Sequence, residues 1–231
     1  MISAFLFSRF NSWFIQIPFY KKLFSYFYPI SIRRTEGEFN PYLEVILYCN
    51  QFQLNTADTV YSDGDRYVPA VTAVNKIKDA LPSIHNALVL GAGLGSMVRV
   101  LRRKGCDPYI TLVEKDKVVL GLAMEFLEED SHDRITPVCN DAKAFMAHNT
   151  AKYDFIFVDI FISKEVPGFV CSSAFLLQCR DSLNAGGHLA FNYIVNDSRE
   201  WENVKKIFTD IFPDNNIVSI GINRILSAHI K

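Results

Sequence analysis

The stretch Leu88-Val-Leu90-Gly91-Ala-Gly93-Leu-Gly95-Ser96 decides the fold. A short apolar run feeds a turn with glycine at every second position, and an apolar-periodic segment at 97–103 follows. Glycine there permits positive φ and lets a ligand approach the backbone. The start of a helix adds free N–H groups and a positive dipole end, which favour an anionic group. A tight turn with no ligand would have the same pattern, so residues outside the loop must decide.

Working outward, short apolar strands alternate with helices. Strands are expected at 87–90, 109–113, 135–138, 154–158 and 188–193, and helices at 97–103, 117–127, 142–148, 173–183 and 201–212. Two last strands are expected at 217–220 and 223–228, and Asn184-Ala-Gly-Gly187 reads as a turn. Apolar strands separated by helices imply a parallel sheet covered on both faces. Right-handed crossovers then give an α/β fold, a Rossmann-like, doubly wound, mostly parallel sheet over 67–231. Upstream, Leu43-Glu-Val-Ile-Leu-Tyr48 and Phe52-Gln-Leu-Asn55 predict a small β-hairpin domain at 36–66, with Cys49-Asn50-Gln51 as the turn. Tyr61-Ser-Asp-Gly-Asp65 reads as a loop, and 67–81 as a helix stopped before Pro82.

Composition narrows the function classes. Of 231 residues, 49% are hydrophobic and 21% charged, which excludes a disordered chain. Basic and acidic residues number 24 and 25, so no nucleic-acid partner is expected. The five cysteines include no C-x-x-C pair and no histidine lies at ligand spacing, so neither a disulfide framework nor a metal is expected. No secretory signal is read at the N-terminus, and the expected compartment is the cytoplasm. Eleven of the 31 aromatics fall in the first 28 residues. Residues 1–35 also carry Arg9, Lys21, Lys22, Arg33 and Arg34 and no acid. This basic aromatic arm has three readings: packing on the β domain or across a homodimer, an anionic membrane surface, or a targeting peptide. Packing is preferred, because clustered aromatics more often bury than insert.

Acids recur at successive strand ends. Glu114 ends the second strand, 19 residues past Gly95, where a carboxylate accepts both hydroxyls of a ribose diol. Asp141 follows the third strand, where it either takes an exocyclic amine such as that of adenine or caps the next helix. Asp159 ends the fourth strand at the ligand-binding edge, placed to orient a nucleophile or take its proton. Tyr193, at the end of the fifth strand, faces the same edge and is a candidate for the acceptor pocket.

Gly91-Ala-Gly-Leu-Gly95, Glu114, Asn140-Asp141-Ala142 and Tyr153-Asp-Phe-Ile-Phe-Val-Asp159 together resemble the class I methyltransferase fold. More narrowly they resemble its spermidine synthase (aminopropyltransferase) branch, over roughly residues 40–195. The resemblance implies that Gly91, Gly93 and Gly95 cradle the tail of S-adenosylmethionine or its decarboxylated form. It implies Glu114 on the ribose, Asp141 on the adenine and Asp159 as the catalytic residue facing the sulfonium and the acceptor. The family's Tyr-His-Glu appears as Tyr67-Val68-Pro69, so Tyr67 alone carries over as a substrate-binding residue. Two positions depart: Leu94 replaces the Asp of the family's glycine loop, and Asp159-Ile-Phe-Ile162-Ser163 keeps only the first acid of D-x-x-D-P. A diamine needs paired carboxylates to offset its lost hydration. The expectation is therefore an S-adenosylmethionine-dependent methyltransferase with a small-molecule acceptor. The alternatives are a divergent aminopropyltransferase and a non-catalytic nucleotide-binding or assembly protein.

Overall fold

The computed structural model describes residues 17–127, 133–162 and 165–231. The glycine turn lies between β5 (Asn86–Leu90) and α3 (Ser96–Arg103), at the centre of a seven-stranded sheet. Around it lie β6 (Tyr109–Glu114), β7 (Ile135–Cys139), β8 (Tyr153–Val158), β9 (Leu183–Ile194), β10 (Asn215–Ile220) and β11 (Asn223–His229). The strand order is β10-β11-β9-β8-β5-β6-β7. Pairs among β5 to β9 are parallel, and β10 and β11 join antiparallel. The order reverses between β5 and β8, which opens a crevice at their carboxyl ends.

Alternation along β5 explains why this sheet has no polar face. Ala87 and Val89 pack with α2 (Val68–Lys76) and α3 through Ala70, Ala73, Val98 and Leu101. Leu88 and Leu90 pack on the opposite side with α6 (Ser173–Asp181) and α7 (Ser198–Ile211) through Phe175, Leu176, Val204 and Phe208. The two remaining crossovers of the parallel half use α4 (Lys117–Phe126) and α5 (Ala142–His148). A parallel strand covered by helices on both sides buries every residue, hence the unbroken apolar run.

The second sheet is antiparallel, in the order β1 (Ile30–Thr35), β2 (Leu43–Tyr48), β3 (Gln51–Asn55) and β4 (Val60–Asp63). Cys49 and Asn50 join β2 to β3 with φ of 49° and 58°, the left-handed pair of a two-residue hairpin turn. Leu43, Val45 and Leu54 of this sheet form one core with Leu94 of the glycine turn and Val119, Leu122 and Phe126 of α4.

Several expected boundaries move. The small sheet starts at Ile30, inside the segment assigned to the arm, because β1 pairs with β2. Tyr61-Ser-Asp63 belongs to β4, not to a loop, because it pairs with β3. The helix expected over 67–81 ends at Lys76, and a 3-10 turn containing Pro82 follows at Lys78–Ser83. The turn expected at 184–187 is part of β9, where a register shift and Gly186 at φ 77° absorb the irregularity.

Residues 1–16 of the aromatic arm lie outside the described residues. The described part forms α1 (Phe19–Phe24); Phe19 on it is 79% exposed and Phe27 just beyond it 76% exposed. Ser25 ties it to the hairpin turn, accepting from Cys49 N through its carbonyl at 2.8 Å and from Asn50 N through Oγ at 2.9 Å. No described helix is long and apolar enough to cross a membrane.

Leu94 is 1% exposed in the core shared by the small sheet and α4, so its side chain belongs to folding. Leu94→Ala is expected to cost about 2–5 kcal/mol in urea unfolding, as for other buried Leu truncations. An unchanged urea midpoint would show that this core does not hold the two sheets together.

Candidate active site

A cavity of about 770 Å³ opens at the carboxyl ends of β5, β6 and β8, roofed by the small sheet through Gln53, Ser62 and Asp63. Gly91, Gly93, Glu114, Asp141, Asp159 and Tyr67 of the expected residues line it. Gly95 and Tyr193 are not among its lining residues.

Gly91 has φ of 96°, and a Cβ there would lie 2.1 Å from the Asp159 carbonyl oxygen. Glycine is thus required by the approach of two chain segments, before any ligand is considered. Gly95 has φ of 75°, and its added Cβ would meet Leu127 at 2.6 Å. It serves the turn and the packing of α3. Gly93 faces the cavity under Ser62, whose Oγ lies 2.6 Å from Ser96 Oγ.

Glu114 is bound by the backbone. Its Oε2 accepts from Ala92 N in the glycine turn at 3.0 Å, and its Oε1 from Asp116 N at 3.0 Å. Burial nevertheless holds its carboxyl above the ordinary value, against those hydrogen bonds. Asp141 caps α5, with Oδ1 accepting from Lys143 N at 2.9 Å and Ala144 N at 3.2 Å, and it also lines the cavity. Both readings of Asp141 are therefore compatible with its position.

Asp159 continues the β8–β5 ladder, donating its N–H to Leu90 O at 2.8 Å, which fixes the side chain at the cavity floor. Its Oδ1 accepts from Asn192 Nδ2 at 2.8 Å and from the Tyr67 hydroxyl at 3.4 Å. Burial pushes the carboxyl up from 3.8 to about 6, with the Asn192 and Tyr67 hydrogen bonds opposing the rise. Burial, and then the Asp159 charge, hold the Tyr67 hydroxyl well above its ordinary value, so it stays a donor.

Asn192 was not singled out from the sequence as a site residue, and Tyr193 was. Successive strand side chains point to opposite faces. Asn192 therefore lines the cavity while Tyr193 enters the core, 2% exposed and stacked on Trp201 at 5.6 Å. Burial pushes the Tyr193 hydroxyl up to about 12. An ionised carboxylate only accepts, so the Asn192 amide must turn its NH₂ to Asp159. That leaves Asn192 Oδ1 buried without a hydrogen-bond partner. The available signal was one amide in the otherwise apolar run Leu189-Ala-Phe-Asn192.

Asp63 was also missed, because its segment read as a loop. In β4 its Oδ1 accepts from Gln53 Nε2 at 2.6 Å and Arg66 at 2.8 Å, and all three residues line the cavity. Leu94 does not line it. Ile160, Phe161 and Ile162 supply an apolar wall; Ser163 lies outside the described residues.

The raised Asp159 carboxyl makes a signed prediction. A group easier to protonate folded than unfolded costs stability as pH rises from the ordinary 3.8 to about 6, and the full cost remains above. Asp159→Asn should gain stability relative to the wild type across that window and then level off. Urea unfolding at stepped pH reads this, and a difference that is flat with pH removes the buried-carboxylate account.

The chain is similar to known proteins. The family model "Spermine/spermidine synthase domain" matches residues 69–218. A probable polyamine aminopropyl transferase of Bifidobacterium longum is 33% identical over 108 residues, 47% of this chain and 24% of that protein. A polyamine aminopropyltransferase of Clostridium beijerinckii is 27% identical over 179 residues, 74% of this chain and 57% of that protein. The match thus spans between a quarter and somewhat over half of these relatives. The crystal structure of a probable spermidine synthase from Corynebacterium glutamicum superposes with a TM-score of 0.72 at 17% identity, covering 85% of this chain and 79% of that one. With the family model matching well over half of its length, the chain belongs to the spermine/spermidine synthase family.

Proposed function

We propose that the chain transfers an aminopropyl group from decarboxylated S-adenosylmethionine to a small amine of the polyamine class. The observation that carries this reading is the Asp159–Asn192–Tyr67 cluster, which shares one cavity with the glycine turn and Glu114. The reading displaces the expected methyl transfer, because the curated relatives carry aminopropyltransferase names.

The residues suit an adenosyl sulfonium donor. About 770 Å³ is ample for a ligand of that size. Glu114 would take the ribose hydroxyls and Asp141 the purine edge. Asp63 and its ion-pair partner Arg66 would line the tail end of such a donor. An amine attacks a sulfonium carbon only as the neutral base. Asp159 would accept the proton as the N–C bond forms and the C–S bond breaks, releasing methylthioadenosine. Asn192 Oδ1, which has no partner, suits an N–H of the acceptor, and Ile160 to Ile162 suit its methylene chain.

Methyl transfer is the second reading, favoured by Ile162 standing where the family resemblance expects a second acid. Incubation with decarboxylated S-adenosylmethionine and putrescine tests the pair. Methylthioadenosine release supports the first reading. Its absence, with S-adenosylhomocysteine formed from ordinary S-adenosylmethionine, supports the second.

A base with a pKa near 6 sets the profile: kcat/KM for amine alkylation should climb with pH up to about 6 on the acid limb. Asp159→Asn should remove that limb and lower kcat/KM by about 100-fold or more, the usual worth of a positioned base. A wild-type limb retained in the variant assigns the titration to another group.

A further inference from the structure

The loop between β1 and β2 belongs to the small sheet, yet it reaches the far end of the cavity. Phe39 and Asn40 of this loop line the cavity, as do Glu114, Lys115, Asn140 and Asp141. The loop is held from two sides. Phe39 N donates to Asp116 Oδ2 at 3.1 Å, and the Tyr61 hydroxyl donates to Asn40 Oδ1 at 3.0 Å. Gly37 N closes the turn on Asn40 O at 2.8 Å. A Cβ at Gly37 would lie 2.3 Å from Asp116 Oδ2, so the loop lies directly on that carboxylate. Asp116 is itself 2% exposed and caps α4 through Val118 N at 2.9 Å.

A loop pinned this firmly would be expected to bury its largest apolar side chain. Phe39 instead remains 49% exposed. The ammonium of Lys115 sits 4.1 Å from its ring centroid, so the ring face meets a mobile, solvated side chain and no packed core. An aromatic ring that is firmly anchored, left partly bare and shares its cavity with Glu114 and Asp141 suits stacking on a purine.

We propose that Phe39 is the purine-stacking cover of this cavity, a binding residue contributed by the small sheet. The inference rests on the reading that the cavity takes an adenosyl donor. Stacking needs only the π-face of the base, so Phe39 supplies affinity, while Asp141 would read the purine edge. The small sheet thereby becomes part of the donor site. Lys115 occupies the ring face until the base arrives, so Lys115→Ala should leave binding intact or tighten it.

Calorimetry on the full chain with 5′-methylthioadenosine and with decarboxylated S-adenosylmethionine tests this. Phe39→Ala should weaken both by a similar factor, about 5- to 100-fold, because the base is common to the two. Phe39→Tyr should bind as the wild type does. Phe39→Trp should bind both, with its fluorescence quenched on addition of 5′-methylthioadenosine, a readout that a purely structural role would not produce. If the wild type binds 5′-methylthioadenosine and Phe39→Ala binds it within twofold, the inference is overturned and the donor reading stands. Weakening of the decarboxylated donor alone would also overturn it, by placing Phe39 at the tail. If the wild type binds neither compound, the donor reading itself fails, and the inference fails with it.

Discussion

At residue 91 there is room for a hydrogen atom and nothing larger, because the Asp159 carbonyl oxygen would stand 2.1 Å from any Cβ. This close approach arises where β5 and β8 run side by side and their ends diverge to opposite faces of the sheet. Two backbone bonds frame it: Gly91 N to Val113 O at 2.9 Å and Asp159 N to Leu90 O at 2.8 Å. The glycine turn, the end of β6 and the head of the Asp159 loop are thereby fixed to one another before any side chain contributes. Glu114 adds a third tie by accepting from Ala92 N. A larger residue at 91 would push these segments apart and move Asp159 relative to the turn.

A second constraint comes from hydrophobic burial. Leu94 leaves the turn toward the small sheet, where it meets Leu43, Val45, Leu54 and the apolar side of α4. That shared core places β4 over the turn, with Ser62 Oγ against Ser96 Oγ and Ser62 above Gly93. A residue that a sequence motif assigns to the donor is thus used for packing, and an acid from a different strand enters the cavity. That acid, Asp63, enters ion-paired with Arg66 at 2.8 Å, and Arg66 lines the cavity beside it.

Much of the fold was legible because each strand obeys a local rule. Ala87-Leu-Val-Leu90 and Phe155-Ile-Phe-Val158 are apolar on both faces, which only a sheet covered on two sides requires. The edge segments were less legible. Tyr61-Ser-Asp63 has turn-forming composition, and its pairing with β3 is a long-range fact. Asn184-Ala-Gly-Gly187 looks like a turn and is held in β9 by its neighbours. Within the site, Gly91, Glu114, Asp141 and Asp159 follow a regular pattern of one residue per strand end. Asn192 interrupts an apolar run, but only the sense of alternation in β9 sends it and not Tyr193 to the cavity.

By itself, the amino-acid order determined the alternation of strand and helix, the glycine turn and the acids at the strand ends. Those features depend on periodicity, on φ and on chain proximity, all of which are local. The tertiary structure decided which side chains meet. It brought Tyr67, Asp159 and Asn192 into one hydrogen-bonded cluster from segments far apart in the chain. It also sent Tyr193 and Leu94 into cores and placed Asp63 and Phe39 at the cavity. The physical reason is that burial and pairing partners are set by packing between elements, and a linear pattern carries only the half of each contact that lies on its own strand.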